Sequence, residues 1–135
     1  MQPKLKDGQI VFVSKLSYGI EIPFKSTLLF QWKKVKEGDI VVFLNDTNMV
    51  VKRCVATEKI PLEFSSDSEY SLIVGGKNNS CRIPLSEQQF RFLSQYSCVP
   101  DGTFLAIGDN YDLSIDSRDF GFIPNKNVAG KVLCR

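Results

Sequence analysis

The chain has 135 residues, with 17 Lys+Arg against 15 Asp+Glu and no histidine. The missing histidine excludes a Ser-His-Asp triad, a Cys-His dyad and a histidine-ligated zinc site within this chain, so any catalysis falls to Ser, Thr, Cys, Lys, Asp, Glu or Tyr. A net charge of +2 gives no reason to expect nucleic acid as a partner, and 43% hydrophobic with 24% charged residues describes a single ordinary globular domain over residues 1–135.

Met1 to Asp7 is polar and lacks the apolar core of a secretory signal. No apolar run approaches the ~18 residues of a membrane helix. Gln9 to Lys15 is apolar on both faces, as a strand inside a sandwich or barrel would be, and Asp39 to Leu44 reads the same way. Met49 to Ala56 is a third expected strand, and weaker ones follow at Tyr70 to Val74, Thr103 to Ile107 and Asn127 to Cys134. The pairs Asp7-Gly8, Glu37-Gly38 and Asp101-Gly102 precede three of these strands and mark turns. Ser86 to Gln89 fits a capping box with Phe90 and Leu93 at helical spacing, which predicts one helix, and Ser65 to Glu69 reads as a polar loop. The fold class expected is mainly β with one short helix.

Lys52 is the first residue that could carry chemistry. Alternation along Met49 to Ala56 puts it on a face with Val50, Cys54 and Ala56, with Arg53 on the other. The plain explanation is an edge-strand lysine that blunts aggregation. The functional one is a desolvated lysine. Free lysine has a pKa near ~10.4, and apolar burial disfavours the ammonium, so a pKa brought down to about 7–8 would make a usable general base. A second candidate is the loop Gly108 to Arg118, whose Asp, Asn and Ser side chains can bond nearby backbone and fix an irregular turn. It lacks the glycine and glutamate spacing of a calcium loop.

Tyr18 to Trp32, followed by Lys33, Lys34 and Lys36, fits either a hairpin packed on the core or an apolar surface with a basic rim that rests on a membrane. Cys54, Cys81, Cys98 and Cys134 have no CxxC spacing, which argues against a zinc ribbon or thioredoxin-like site. They allow three pairings that spacing does not distinguish, and unpaired buried cysteines are the simpler expectation.

In chain order these pieces resemble the type I signal peptidase (leader peptidase) family. Met1 to Gly8 resembles the segment just after the family's nucleophilic serine, Gly38 to Phe43 its second strand, and Val51-Lys52-Arg53 the strand bearing its catalytic lysine. Gly108-Asp109-Asn110, Asp112, Ser114 and Asp116-Ser117-Arg118 resemble its most specific box, continued by Gly121 to Pro124 and Gly130-Lys131. The resemblance implies folded β-sheets in a partly open barrel, a Ser/Lys dyad and no cofactor. It makes Lys52 the general base, and Ser114 the hydroxyl that orients its amine. Asp116 would pair with Arg118 and with Arg53, and Asp109 and Asn110 would support the loop. Met1, Gln2, Pro3, Leu5, Val50 and Val51 would bind substrate and shape shallow pockets for small residues such as alanine.

The implied partners are signal peptides of preproteins, bound as an added strand, and the membrane surface, with the active domain on the extracytoplasmic side. The resemblance places the serine immediately before Met1. The 135 residues alone are therefore expected to be inactive, since neither Ser14 nor Ser17 takes its place, and an anchoring helix would lie further upstream. After Arg53 the family's glycine and Leu-Pro-Gly-Asp turn are replaced by Cys54 to Lys59, and Tyr111 and Leu113 stand where polar residues are common. Other readings are a non-catalytic homologue that binds preproteins or a partner, a β-rich binding module of the same fold, and the self-cleaving domain of SOS-type repressors. The last lacks the long Asp-Asn/Asp-Ser-Arg box.

Overall fold

The computed structural model describes residues 12–14, 17–22, 25–31, 33–75 and 80–133. Its strands are β1 (Phe12–Ser14), β2 (Gly19–Ile22), β3 (Lys25–Gln31), β4 (Ile40–Asn45), β5 (Asn48–Thr57), β6 (Glu63–Ser65), β7 (Ser71–Val74), β8 (Cys81–Pro84), β9 (Thr103–Ile107), β10 (Ile123–Pro124) and β11 (Val128–Leu133). Two short helices join them, α1 (Glu87–Leu93) and α2 (Ser117–Phe120). The main sheet runs β1-β11-β4-β5-β9-β10, with a β2-β3 hairpin and a β6-β7-β8 sheet beside it. The mainly β expectation holds, as open sheets with little helix.

The central strands explain their own composition. Val41 and Phe43 of β4 join Tyr18, Val35, Phe104 and Val128 in one apolar cluster, while Ile40 and Val42 join Ala129 and Val132 in another. A strand covered on both faces has no solvent side, so its sequence is a continuous apolar run rather than an alternation. β9 behaves likewise, with Phe104 and Ala106 in the first cluster and Leu105 and Ile107 in a third. That third cluster is where the segment between β5 and β9 packs, through Leu72 and Val74 of β7, Ile83 of β8 and Leu93 of α1. Gly38 and Gly102 take φ of +84° and +72°, the left-handed values that the Glu37-Gly38 and Asp101-Gly102 turns require. Asp7-Gly8 lies outside the described residues.

Helix α1 begins as its sequence predicts. Ser86 Oγ accepts from the Gln89 amide at 3.2 Å, and Gln89 Oε1 accepts from the Ser86 amide at 2.9 Å. Other expectations need adjustment. Within Gln9 to Lys15, Phe12–Ser14 form β1 while Gln9 to Val11 and Lys15 lie outside the described residues, and because β1 is an edge of the described sheet, Phe12 and Val13 are exposed rather than buried on two faces. Lys52 is paired on one side only: Val41 of β4 stands opposite it, while the ladder to β9 begins one residue later, at Arg53. Ala56 does not continue the face of Lys52 and Cys54: a register shift between Cys54 and Ala56 turns Ala56 into the third cluster while Cys54 stays in the first. Cys54, Cys81 and Cys98 are free, but only Cys54 is buried, and Cys134 lies outside the described residues. Sequence pattern also passed over α2 and the strands β6, β8 and β10 as separate elements. Tyr18 to Trp32 does form a hairpin, β2 against β3, and Tyr18 enters the core.

Candidate functional site

Lys52 stands on β5 beside the end of β9, where the chain leaves the sheet at Gly108. Its Nζ donates to Ser114 Oγ at 2.7 Å. The loop between Gly108 and α2 is what brings Ser114, distant in sequence, back to the lysine. Its turn is closed by the Ser114 amide on the Asn110 carbonyl at 3.0 Å. A Cβ on Gly108 would lie 2.0 Å from Ser114 Oγ and 3.3 Å from Lys52 Nζ, so a side chain there would occupy the space in which the two groups meet.

Below the loop lies a buried ion pair. Asp116 and Arg118 are 0% and 4% exposed, and Arg118 Nε donates to Asp116 Oδ1 at 2.9 Å. Burying two charges is costly unless every lone pair and proton finds a partner. Here Asp116 Oδ2 also accepts from the Gly108 amide at 2.9 Å, and Arg118 Nη2 reaches the carbonyls of Tyr111 (2.8 Å) and Ser114 (3.1 Å). The Arg118 guanidinium also lies 5.6 Å from the centre of the Tyr111 ring. The pair is therefore a clamp that fixes both ends of the Gly108–Ser114 loop. Buried Ser117 adds a tie to β9, its Oγ accepting from the Ala106 amide at 3.0 Å.

Arg53 works from the other face of β5. The resemblance assigned it to Asp116, but its carboxylate partner here is Asp109. Nε meets Oδ1 at 2.8 Å and Nη2 meets Oδ2 at 2.9 Å, a two-pronged pair, while Nη1 donates to the Gly38 carbonyl at 3.0 Å. This correction follows from strand alternation: Arg53 and Lys52 project to opposite faces, and Asp109, one residue beyond Gly108, is the acid on the arginine's side.

The electrostatics follow from these contacts. Burial lowers the pKa of Lys52 and Arg118 lowers it further, while the carboxylates of Asp116 and Asp119 oppose the shift. Burial alone would raise Asp116, but hydrogen bonds from Arg118, the Gly108 amide and Ser114 outweigh it and hold its carboxyl below the usual range. Burial, with the nearby Cys81, pushes the Tyr111 hydroxyl up to about 12. Burial pushes Cys54 up to about 12 as well, so that thiol is an inert core group. A cavity of about 400 Å³ adjoins the loop, with Ser114, Tyr111, Leu85 and Gln89 in its lining. Among the described residues no group of three or more Cys, Asp or Glu side chains is placed to hold a metal ion.

Comparison with known proteins gives the chain a family. The family described as signal peptidase, peptidase S26, matches residues 1–135. The chain belongs to the signal peptidase family. Signal peptidase I of Buchnera aphidicola subsp. Baizongia pistaciae is 25% identical, across 98% of this chain and 65% of the relative. Signal peptidase IB of Staphylococcus aureus is 28% identical, across all of this chain and 72% of the relative. The crystal structure of a signal peptidase I from Enterococcus faecalis superposes with a TM-score of 0.50 at 25% identity, covering 76% of this chain and 98% of that one. The chain spans between 59% and 65% of the Buchnera and Pseudomonas fluorescens signal peptidases that it matches.

Of the residues expected at the site, the fold brings together Lys52, Ser114, Asp116 and Arg118, with Arg53, Asp109 and Asn110 bracing the same loop. Val50 and Val51 are half-buried on β5 next to Lys52. Met1, Gln2, Pro3 and Leu5 lie outside the described residues. Sequence reasoning passed over the steric role of Gly108, the tie made by Ser117, and Asp119. One signal was available for the last: Asp116 and Asp119 have the same spacing as the Ser86/Gln89 capping box.

Proposed function

We propose that this chain is the catalytic-type domain of a signal peptidase I, a serine endopeptidase in which Lys52 is the general base. It would remove signal peptides from exported preproteins after small residues, on the extracytoplasmic side of a membrane. The observation that carries the proposal is the partner of Lys52. It is a neutral hydroxyl rather than a carboxylate, so burial is free to lower the lysine's proton affinity.

The nucleophile is a serine that the resemblance aligns immediately before Met1. Lys52 takes the Ser Oγ proton as that oxygen attacks the scissile carbonyl. It then returns the proton to the leaving amine nitrogen as the peptide bond breaks, leaving an acyl-serine. A water, deprotonated by the same amine, attacks the ester, and the serine hydroxyl is restored. Ser114 holds the amine's direction throughout. Val50 and Val51, with Met1, Gln2, Pro3 and Leu5, would line the shallow pockets and strand edge that receive the signal peptide. The exposed lysines Lys33, Lys34 and Lys36 fit a basic rim that meets an anionic membrane surface.

The test extends the chain with a serine directly before Met1 and assays a preprotein with an Ala-X-Ala site. Cleavage after the last alanine is expected from the extended chain, and none from the 135 residues alone. A folded extended chain that leaves the preprotein intact would instead favour a homologue that binds preproteins without cutting them.

A further inference from the structure

Two capping boxes face one another beside Lys52. In the first, Gln89 Oε1 accepts from the Ser86 amide, which leaves the Nε2 end of the same side chain pointing away from α1. In the second, Asp116 caps α2, and its own amide donates to Asp119 Oδ2 at 3.1 Å. The boxes are joined: Gln89 Nε2 donates to Asp119 Oδ1 at 2.7 Å. Both ends of the Gln89 amide thus have complementary partners, which fixes its orientation. Asp119 uses both oxygens, one on each helix.

The charges make this join more than a brace. Asp116 and Arg118 neutralise one another. The two hydrogen bonds on exposed Asp119 come from neutral donors, a side-chain amide and a backbone N–H, so among the described residues no cation is paired with its charge. Asp116, Arg118 and Asp119 are the charged groups that act on Lys52. Arg118 opposes Asp116 there, and Asp119 adds to the carboxylate side of the balance.

We propose that Asp119, tethered by Gln89, is a positioning residue of this site, which locks the loop carrying Ser114 and presents its carboxylate to the Lys52 ammonium. Helix α1, which contributes no group to the chemistry, thereby reaches the general base through a chain of contacts: Gln89, Asp119, Asp116, Gly108 and Ser114. The proposal rests on Lys52 being the base, and its test keeps the two ideas apart.

The titration of Lys52 is followed by NMR of its side chain in the 135 residues, with no nucleophile needed. Asp119→Asn is expected to move the Lys52 midpoint down by about half a unit, the size of one carboxylate removed across a partly screened gap. Asp112→Asn, an exposed acid on the same loop, is expected to leave it in place. In the serine-extended chain, the acid limb of the kcat/KM profile should move with the midpoint in Asp119→Asn. Gln89→Leu, which keeps the charge and cuts the tether, should lower kcat several-fold at unchanged KM. Should Asp119→Asn fail to fold, Gln89→Glu sets a second carboxylate beside Asp119 and should raise the midpoint. A folded Asp119→Asn protein with the wild-type midpoint would overturn the proposal. So would equal shifts from Asp112→Asn and Asp119→Asn, or a wild-type kcat in Gln89→Leu. If the extended wild type does not cleave at all, the proposed function fails while the titration still decides the role of Asp119.

Discussion

Lys131 and Lys52 stand in one row of the main sheet. Lys131 pairs across to Val41, and Val41 pairs on to Lys52. Their surroundings divide them. Lys131 Nζ meets Asp39 Oδ1 at 2.5 Å, and Asp39 Oδ2 accepts from the Tyr18 hydroxyl at 2.7 Å and the Lys36 amide at 3.2 Å. Burial would raise Asp39, but hydrogen bonds from Lys131 and Tyr18 outweigh it and keep its carboxyl below the usual range. Burial, with Asp39 adding to it, drives the Tyr18 hydroxyl far above its ordinary value. Lys52 has a hydroxyl partner instead, and Asp116, the carboxylate that acts on it most, is already occupied by an arginine. One lysine is therefore tied to a carboxylate that joins β11 to the start of β4, and the other is arranged so that it can lose a proton. The partner separates structural from chemical use.

The largest expected effect breaks that comparison outright. In the serine-extended chain, Lys52→Ala should reduce kcat/KM by about 10³-fold, the loss of a general base, while Lys131→Ala should stay within a few-fold of the parent. Equal losses in both would mean that the two lysines differ in nothing that chemistry uses. The next effect is on stability, and it runs between the two carboxylates. Asp116→Ala strands Arg118, which is 4% exposed, and should cost about 3–5 kcal/mol in denaturant unfolding. Asp39→Ala leaves a lysine whose side chain is 36% exposed and can turn to water, so the cost should be about 1–2 kcal/mol. Reversal of that order would show that the Tyr18 cluster, not the loop clamp, is the more tightly held.

The Lys52 side of this contrast was visible in the sequence, and the reason is local. Strands such as Ile40–Asn45 declare themselves because burial on both faces demands an apolar run, and α1 does so because its capping box is contiguous. Lys52 was conspicuous as a charge among small apolar neighbours, and the Gly108 to Arg118 box as an unusual run of polar residues. What stayed hidden depends on where strands meet. Alternation could not show that Val55 is skipped by the register between Cys54 and Ala56, and so could not show that Ala56 changes sides. Nor could it pair Arg53 with Asp109 rather than Asp116, because that choice is made by which face of β5 the loop's first acid reaches. The Gln89–Asp119 tether joins residues from two separate segments, each of which reads by itself as an ordinary helix start.

The smallest effect sharpens the comparison through pH. Lys52 has a lower pKa folded than unfolded, so between those two values the unfolded chain binds more protons at this position than the folded one. Stability contributed by Lys52 should therefore rise with pH, from its lowered native value up to about 10.4, where the unfolded lysine also becomes neutral. Asp39 and Asp116 are carboxylates with lowered native values. Their contribution is present above about 3.9 and is lost as pH falls through those native values, so it is constant over the alkaline window. Lys52→Met removes the titrating group and keeps a side chain of similar length. The difference in unfolding free energy between wild type and Lys52→Met, measured by urea melts at steps from pH 7 to pH 10, should then move in favour of the wild type as pH rises. A difference that stays flat across that range would mean that Lys52 keeps its proton in the folded chain as firmly as in water, and that the Ser114 hydroxyl confers no special chemistry on it.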